Sequence, residues 1–411
     1  MTADANNPFL LAAATNSLLV TLIVCAALFF VVLTLVAYLI LFERWVAAQI
    51  QDRVGPNRAG PFGLLQPLAD VFKLFVKEDF TPSFADRWLF FLAPIGSIVP
   101  ALLGLAVLPL GGRIECAGQT IWLQVASLDL SVLFLLMTGG LGFYGLVVGG
   151  WASNSKFSLL GGMRAAAQLL SYEVPAGLVL VSLVLTSGSM SFDAILAAQG
   201  GQWFGWLPKW NLFTQPLGFV LFIIVILAEC NRLPFDLPEA EQELVGGFHT
   251  EFSSMKFGLF FLAEFTNVVV AATAGAVLFL GGWSGFGLAA DPPAGVQAEW
   301  YFGLLRLAVT LLKTGLIIGL MMQLRWTLPR FRFDQLARLA WKVLVPTSLA
   351  LLLANAVLVW QSAPAWAFTL ANIVVAAIVA AVAIVAPGPV TGRQRTLLQA
   401  EEREGEMQNA K

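Results

Sequence analysis

Histidine occurs once in this chain, at His249, and cysteine three times, at Cys25, Cys116 and Cys230. No CxxC occurs, and no two cysteines lie close in sequence. Haem, iron–sulfur and zinc sites need several Cys or His ligands at workable spacing. The chain is therefore expected to carry no redox metal of its own, and its thiols to be packing residues. Charge is also scarce. Asp, Glu, Lys and Arg make up 12% of the residues, against roughly 25% in an average soluble domain. Apolar residues make up 58%. A soluble fold of this size has too little polar cover for that much apolar surface; a bilayer removes the need for it. No Walker motif, no Ser/His/Asp arrangement and no nucleic-acid signature occurs. GGWSGFG at 281–287 follows an apolar span with no strand before it, so it is not a nucleotide loop.

A helix needs about 20 apolar residues to cross roughly 30 Å of hydrocarbon. Nine stretches qualify: 17–42, 88–110, 128–151, 165–187, 212–229, 256–283, 301–323, 342–361 and 365–387. The first follows an acidic start (Asp4) and lacks an A-x-A ending, which reads as a span and not a cleaved signal. Lys and Arg fall unevenly between these stretches. Alternate connections (43–87, 152–164, 230–256, 324–342) and the tail hold 19 of them; the other connections hold only Arg113 and Lys209. Positive charge marks the cytoplasmic side. The expected architecture is an all-α integral membrane protein with about nine transmembrane helices, N-terminus out and C-terminus in. Residues 1–387 form one polytopic domain, and 388–411 form a charged cytoplasmic tail.

Two cytoplasmic segments stand out. The glycines and prolines of RVGPNRAGPFG (53–63) predict turns. After them Leu64, Leu65, Leu68, Val71, Phe72, Phe75 and Val76 recur at helical spacing, with Gln66, Asp70, Lys73 and Lys77 opposite. This predicts an amphipathic helix at about 62–78, too short to span and lying at the membrane surface. It is either a plain brace or one wall of a groove that admits an amphipathic ligand from the lipid. The acidic loop at about 229–255 contains NRLPFDLPEAEQELVGGFHTE, where Pro234 and Pro238 prevent a continuous helix. Glu229, Asp236, Glu239, Glu241, Glu243 and Glu251 crowd there against Arg232. Glu239 and Glu243 would share a helical face at i, i+4. Crowded carboxylates repel, which raises some pKa values towards neutrality and suits proton exchange; the alternative is a solvated acidic loop.

Some charges fall inside the spans. Glu173 lies roughly 13 Å beyond Arg164, Glu264 roughly 12 Å beyond Lys256, and Lys313 roughly 18 Å before Arg325, at about 1.5 Å per residue. A charge at such depth costs about 2.5 kcal/mol or more unless paired or wetted, and such groups mark ion or proton paths by default. The alternative is a structural ion pair, for example Lys313 with a carboxylate. Arg306, near an outer end, reads as a snorkelling anchor. The glycine run from Gly139 to Gly150, with Gly145 and Gly149 as GxxxG, predicts close helix packing.

FERWVAAQIQDRVGPNRAGPFGLLQPLADVFKLFVKED (42–79), GWASNSKFSLLGGMRAAAQLLSYEV (150–174), AECNRLPFDLPEAEQELVGGFHTEF (228–252) and PRFRFDQL (329–336) together resemble the quinone-site membrane subunit of respiratory complex I, the family known in bacteria as the H subunit. The resemblance runs from about residue 17 to 361. It implies membership of a proton-pumping NADH:quinone oxidoreductase in the bacterial inner membrane, with flavin and iron–sulfur chemistry on other subunits. The chain would then be no catalyst by itself. It would form the lipid-side entrance of a quinone tunnel and begin a line of buried acids. By position, the resemblance implies that Glu43, Arg44, Arg53, Asp70, Lys73, Arg232 and Asp236 line the tunnel. It implies that Glu173, Glu229, Glu239, Glu241, Glu243, Glu251 and Glu264 serve the proton path. Arg325, Arg330, Arg332 and Asp334 would meet the peripheral-arm subunits. The expected partners are those subunits, other membrane-arm subunits, quinone and lipid, with no nucleic acid. The competing readings are a coupling subunit of a hydrogenase-type complex and a stand-alone ion transporter; a transporter would often show internal repeats, and none is evident.

Overall fold

The computed structural model describes residues 18–116, 119–203, 207–284 and 300–385. The charged tail expected at 388–411 lies outside them. The protein is an all-α membrane protein. Among the described residues, eight helices are long and apolar enough to cross a membrane.

The helices are α1 (Leu18–Ile50), α2 (Gln66–Val76), α3 (Arg87–Ala106), α4 (Ser131–Ala152), α5 (Lys156–Ser187), α6 (Phe192–Ala198), α7 (Asn211–Thr214), α8 (Pro216–Glu229), α9 (Glu241–Leu244), α10 (Ser254–Leu280), α11 (Trp300–Thr327), α12 (Phe333–Arg338), α13 (Val345–Trp360) and α14 (Ala365–Val385). Two antiparallel ribbons, Arg113–Cys116 with Gln119–Trp122 and Gln202–Trp203 with Leu207–Pro208, lie in connections expected outside the membrane. The main apolar core is built from α1, α5, α8, α10, α11 and α13. It is packed most tightly along α10, where Ala272, Ala274, Ala276 and Val277 are fully buried.

Several boundaries differ from the expectation: α1 runs on to Ile50 and α5 begins as early as Lys156, and three other differences have local causes. The fifth expected span, 212–229, is a helix of 14 residues that starts at Pro216. At about 1.5 Å per residue it covers only about 21 Å. Gln215 has non-helical dihedrals (φ −130°, ψ 62°), and Pro216 cannot donate a backbone hydrogen bond and disfavours helix in the residue before it. Side chains hold the break inside the bundle. Gln215 donates to Thr186 Oγ1 at 2.8 Å, and Asn211 Nδ2 donates to the Leu278 carbonyl at 2.9 Å. The amphipathic helix is shorter than expected, Gln66–Val76, because Gly60 and Gly63 adopt φ of 75° and 79° just before it. Ahead of α13 the backbone widens into a π-helical stretch at Leu339–Leu344. Pro346, at the start of α13, would clash with the carbonyl four residues back in a regular helix.

Among the described residues Lys313 pairs with no carboxylate. Its Nζ donates to the carbonyls of Leu280 and Ser284, both at 2.7 Å, and sits 4.3 Å from the Trp210 ring. It caps the C-terminal end of α10, where helix carbonyls lack partners and the dipole is negative. Lys313→Met leaves those carbonyls without their charged donor, at an expected cost of about 1.5–3 kcal/mol. The thermal midpoint of the purified protein should fall accordingly.

Candidate functional site

The site lies where the ends of α1, α8, α10 and α11 meet the loop 230–253. Helix α8 closes with Asn231 in a left-handed conformation (φ 50°), the usual residue type after glycine for that role. The chain reverses there, and Arg232 points back into the bundle. Its Nε lies 3.1 Å from Glu264 Oε1 on α10, and its Nη1 lies 3.4 Å from Glu43 Oε1 on α1. Its guanidinium also stacks 4.1 Å from the Phe265 ring centre. Arg325, at the end of α11, pairs with the same Glu43 oxygen. Two arginines and two carboxylates thus alternate in one buried network, with side-chain exposures of 9% for Arg232, 12% for Glu43 and 18% for Glu264. A planar guanidinium can bridge two carboxylates, which a lysine ammonium on a thin stem does poorly. A small cavity beside the network is lined by Leu39, Phe265, Met321 and Met322.

A larger cavity, about 1080 Å³ including space open to the exterior, runs between α3, α4, α5, α8 and α10. Its wall is mostly apolar, but Glu229, Glu239 and Glu264 all line it, together with Asn267 and Ser97. A second cavity, between α4, α5 and α8, is lined by both Glu229 and Glu173. Glu229 therefore borders both spaces. Gly139 and Gly140 on α4 make this possible. A Cβ at Gly139 would overlap Glu229 Oε1, and one at Gly140 would lie 2.8 Å from Glu173 Oε1. The glycine run has two jobs: Gly145 lets α4 close on Ser97 of α3, whereas Gly139 and Gly140 make room for carboxylates. Only the packing job was expected from the sequence. Glu173 itself is exposed on the flank of α5.

The acidic loop splits its carboxylates. Glu239 and Glu243 do not share a helical face, because Ala240 between them adopts φ 36° and α9 begins only after it. Glu239 turns inward to the large cavity. Glu243 turns outward and accepts a 2.6 Å bond from Arg164 on α5. That hydrogen bond holds the Glu243 carboxyl below its ordinary range. Burial pushes Glu239 up to about 7, and the nearby Asp236 adds to the effect. Burial likewise raises Asp236 to about 7 against the lowering influence of Arg330. One carboxylate oxygen of Asp236 is buried with no hydrogen-bond partner among the described residues. His249 Nδ1 lies 3.8 Å from Glu239 Oε1. Burial holds its pKa near 4, so the contact is not an ion pair at neutral pH. Glu241 is exposed and Glu251 half-buried.

These shifts have a definite sign. A carboxyl whose folded pKa is raised binds its proton more tightly in the folded loop. The stability it confers is full below the unfolded value and is lost as pH rises through about 7. Amide hydrogen exchange over 234–246, corrected for its intrinsic pH dependence, is expected to accelerate between about pH 4 and pH 7 and to level off above that. Asp236→Asn with Glu239→Gln should flatten that rise.

The remaining expected residues separate into two groups. Arg44 pairs with Asp70 at 2.7 Å, tying α1 to α2. Ser254 Oγ donates to the Leu74 carbonyl at 2.9 Å and anchors the end of α2 on α10. The apolar side of α2 stays uncovered, with Leu68, Phe72 and Phe75 exposed. Lys73 is exposed on the same helix, and Arg53 is exposed in the preceding turn, bonded to Gln51 at 2.8 Å. Arg330 donates to the Asp236 carbonyl, and Phe331 N donates to the Pro234 carbonyl at 3.1 Å, so the segment before α12 is pinned to the acidic loop. Arg332 and Asp334 are exposed beside it. Arg325, grouped with them by sequence, belongs instead to the buried network. Tyr172 went unremarked in the sequence: it stacks edge-on against Phe235 and donates to the Leu336 carbonyl at 3.3 Å. A tyrosine one residue before a deep glutamate was the available signal. Among the described residues no group of His, Cys, Asp and Glu is arranged to hold a metal ion.

A family model described as NADH dehydrogenase matches residues 23–356. An NADH-quinone oxidoreductase H subunit of Geobacter metallireducens is 50% identical over 324 residues, which covers 79% of this chain and 92% of that protein. An H subunit of the same enzyme from Geobacter sulfurreducens is also 50% identical over 324 residues, with the same coverage. The corresponding protein of Cytophaga hutchinsonii is 44% identical over 334 residues, covering 80% and 93%. Helix α14 lies beyond the residues that the family model matches.

Proposed function

This chain belongs to the NADH dehydrogenase family, among relatives of the H subunit of NADH-quinone oxidoreductase, and on that premise we propose that it forms the lipid-side entrance of a quinone tunnel and couples quinone reduction to proton movement. The observation that carries this reading is the position of Glu229 between two cavities. One contains Glu239 and Glu264, and the other leads to Glu173.

In this reading quinone enters from the bilayer between α2, α1 and α10. The exposed apolar face of α2 meets its tail, and Arg44, Arg53, Asp70 and Lys73 meet its polar head. The electrons come from flavin and iron–sulfur subunits of the complex, and this chain supplies no redox centre. Reduction to the quinol consumes protons as well as electrons. That change in charge is felt first by Asp236 and Glu239, which sit where a carboxyl titrates near neutrality. The Glu264–Arg232–Glu43–Arg325 network holds the loop against α1, α10 and α11, so a charge change in the loop reaches Glu264 through a guanidinium. Glu229 then stands between that network and Glu173. Exposure of Glu173 on a span flank supports a neighbouring membrane subunit on that side, since a bare carboxylate facing lipid is costly. Arg332 and Asp334 would face the peripheral arm. The positive charge of the connections supports an N-out, C-in arrangement in a bacterial inner membrane.

Glu173→Gln is expected to leave the complex assembled on a native gel and to lower proton pumping in membrane vesicles by at least about tenfold, taking a relay carboxylate as worth about 1.4 kcal/mol or more. Intact quinone reduction and intact pumping in that variant would remove Glu173 from the path.

A further inference from the structure

Gln168 lies on α5, fully buried, five residues before Glu173. Nothing in the preceding reading uses it. Its Nε2 donates to two acceptors on the turn that closes α8, the Ala228 carbonyl at 2.7 Å and Asn231 Oδ1 at 3.2 Å. These acceptors flank Glu229 in the chain. Asn231 is the left-handed residue that swings Arg232 back between Glu43 and Glu264. The turn's own bonds, Cys230 N to the Ile226 carbonyl at 2.9 Å, Arg232 N to the Leu227 carbonyl at 3.1 Å and Asn231 N to the Ala228 carbonyl at 3.3 Å, are all longer than the 2.7 Å bond from Gln168. The Gln168 Oε1 is buried with no partner among the described residues. A packing residue would avoid that unpaired oxygen, because burying an unsatisfied acceptor is unfavourable. The orientation of the amide is set by its donor side, since both atoms it faces are acceptors.

We propose that Gln168 is a positioning residue that clamps the Ala228–Arg232 turn to α5 and thereby holds Glu229 and Arg232 in register with Glu173. The proposal rests on the coupling role assigned to those residues above. The clamp explains why a neutral amide occupies this place. A carboxylate would repel the two oxygens, a hydroxyl would be too short, and an aliphatic chain would leave the turn attached to α5 by contact alone. Helix α5 then grips the loop region at three heights: Arg164 on Glu243, Gln168 on the turn, and Tyr172 on Phe235. Charged groups around the clamp are Glu229 and Arg232 on the turn, Glu173 on α5, Glu239 from the loop, Glu264 from α10 and Glu43 from α1.

The test uses membranes carrying the whole complex, with assembly read from a native gel. Protons translocated per quinone reduced are measured for Gln168→Leu, Gln168→Glu and Glu229→Gln. Gln168→Leu should lower the ratio at least about threefold, because small misplacements of reacting groups have large rate effects. Gln168→Glu keeps the length of the side chain. Its protonated form can donate to the Ala228 carbonyl and its ionised form cannot. Its coupling ratio, divided by that of the unsubstituted complex at the same pH, should therefore be near one at about pH 6 and fall by about pH 8. An unchanged ratio in Gln168→Leu, a flat profile in Gln168→Glu, or loss of assembly in both would overturn the clamp. If Glu229→Gln is itself fully coupled, the coupling reading fails and takes the clamp with it. If Glu229→Gln uncouples while both Gln168 variants behave normally, only the clamp fails.

Discussion

Arg232→Met is expected to abolish most NADH:quinone reductase activity, by at least about tenfold, while Arg232→Lys recovers only a part. The guanidinium bridges Glu264 and Glu43, and all three groups are largely withdrawn from solvent. Removing one partner of such a network leaves carboxylates buried without a counter-charge, a loss of about 3–5 kcal/mol. The loop also loses the contact that seats it against α1 and α10. Lysine restores the charge but offers a single head, so it can hold one carboxylate and not both. Arg325 can still reach Glu43, which is why the damage should concentrate at Glu264. The double variant Arg232→Met, Glu264→Gln should therefore recover stability relative to Arg232→Met, as a double-mutant cycle requires when two groups interact. The readouts are assembly on a native gel, quinone reduction, and reduction of a soluble acceptor that bypasses the membrane. Full quinone reductase activity in Arg232→Met would show that the network is dispensable.

The second large effect is expected from a residue with no side chain. Gly139→Ala should reproduce the phenotype of Glu229→Gln, although it changes no charge. The single carbon added at position 139 would overlap the Glu229 carboxylate, and α4 cannot retreat because Gly145 is already seated on Ser97 and the Ala93 carbonyl. Overpacking of this kind costs about 1–3 kcal/mol; here the displaced group is the one that borders both cavities. Gly142→Ala on the same helix provides the control. A Cβ there meets nothing within 4 Å, and alanine is favoured over glycine in a helix by up to about 1 kcal/mol. Pumping measured in membrane vesicles should thus separate two identical substitutions about one turn apart. Equal effects at both positions would mean that room for Glu229 is not what Gly139 provides.

Much of the fold was legible because the bilayer imposes a simple rule. Long apolar runs had to be helices, and eight of the nine expected spans are long enough to cross. The fifth could not be measured from hydropathy, which registers 212–229 as continuously apolar. The break depends on Pro216 and on polar partners at Thr186 and Leu278, brought in from other helices. The amphipathic helix was readable because periodicity reports which residues share a face. Lys313 was recognised as a buried cation, but its partners are carbonyls at the end of another helix, and backbone atoms carry no signature in a sequence.

The candidate site divides along the same line. Composition and hydropathy by themselves determined the membrane class, the scarcity of Cys and His, and which carboxylates are deep or crowded; the long motifs determined the family. Only the tertiary structure decided how those groups are used. Glu43 and Arg232 are 189 positions apart and meet because α1 and the α8 turn pack on the same side of α10. Glu239 faces a cavity and Glu243 faces outward because one residue, Ala240, takes a left-handed conformation. Gly139 matters through a neighbour on another helix. The physical reason is one of range: the exchange of water for hydrocarbon acts on each segment separately and leaves its mark in each segment. The pairing of charges in a low-dielectric interior depends on distances of a few ångströms between segments, and those exist only once the helices have packed.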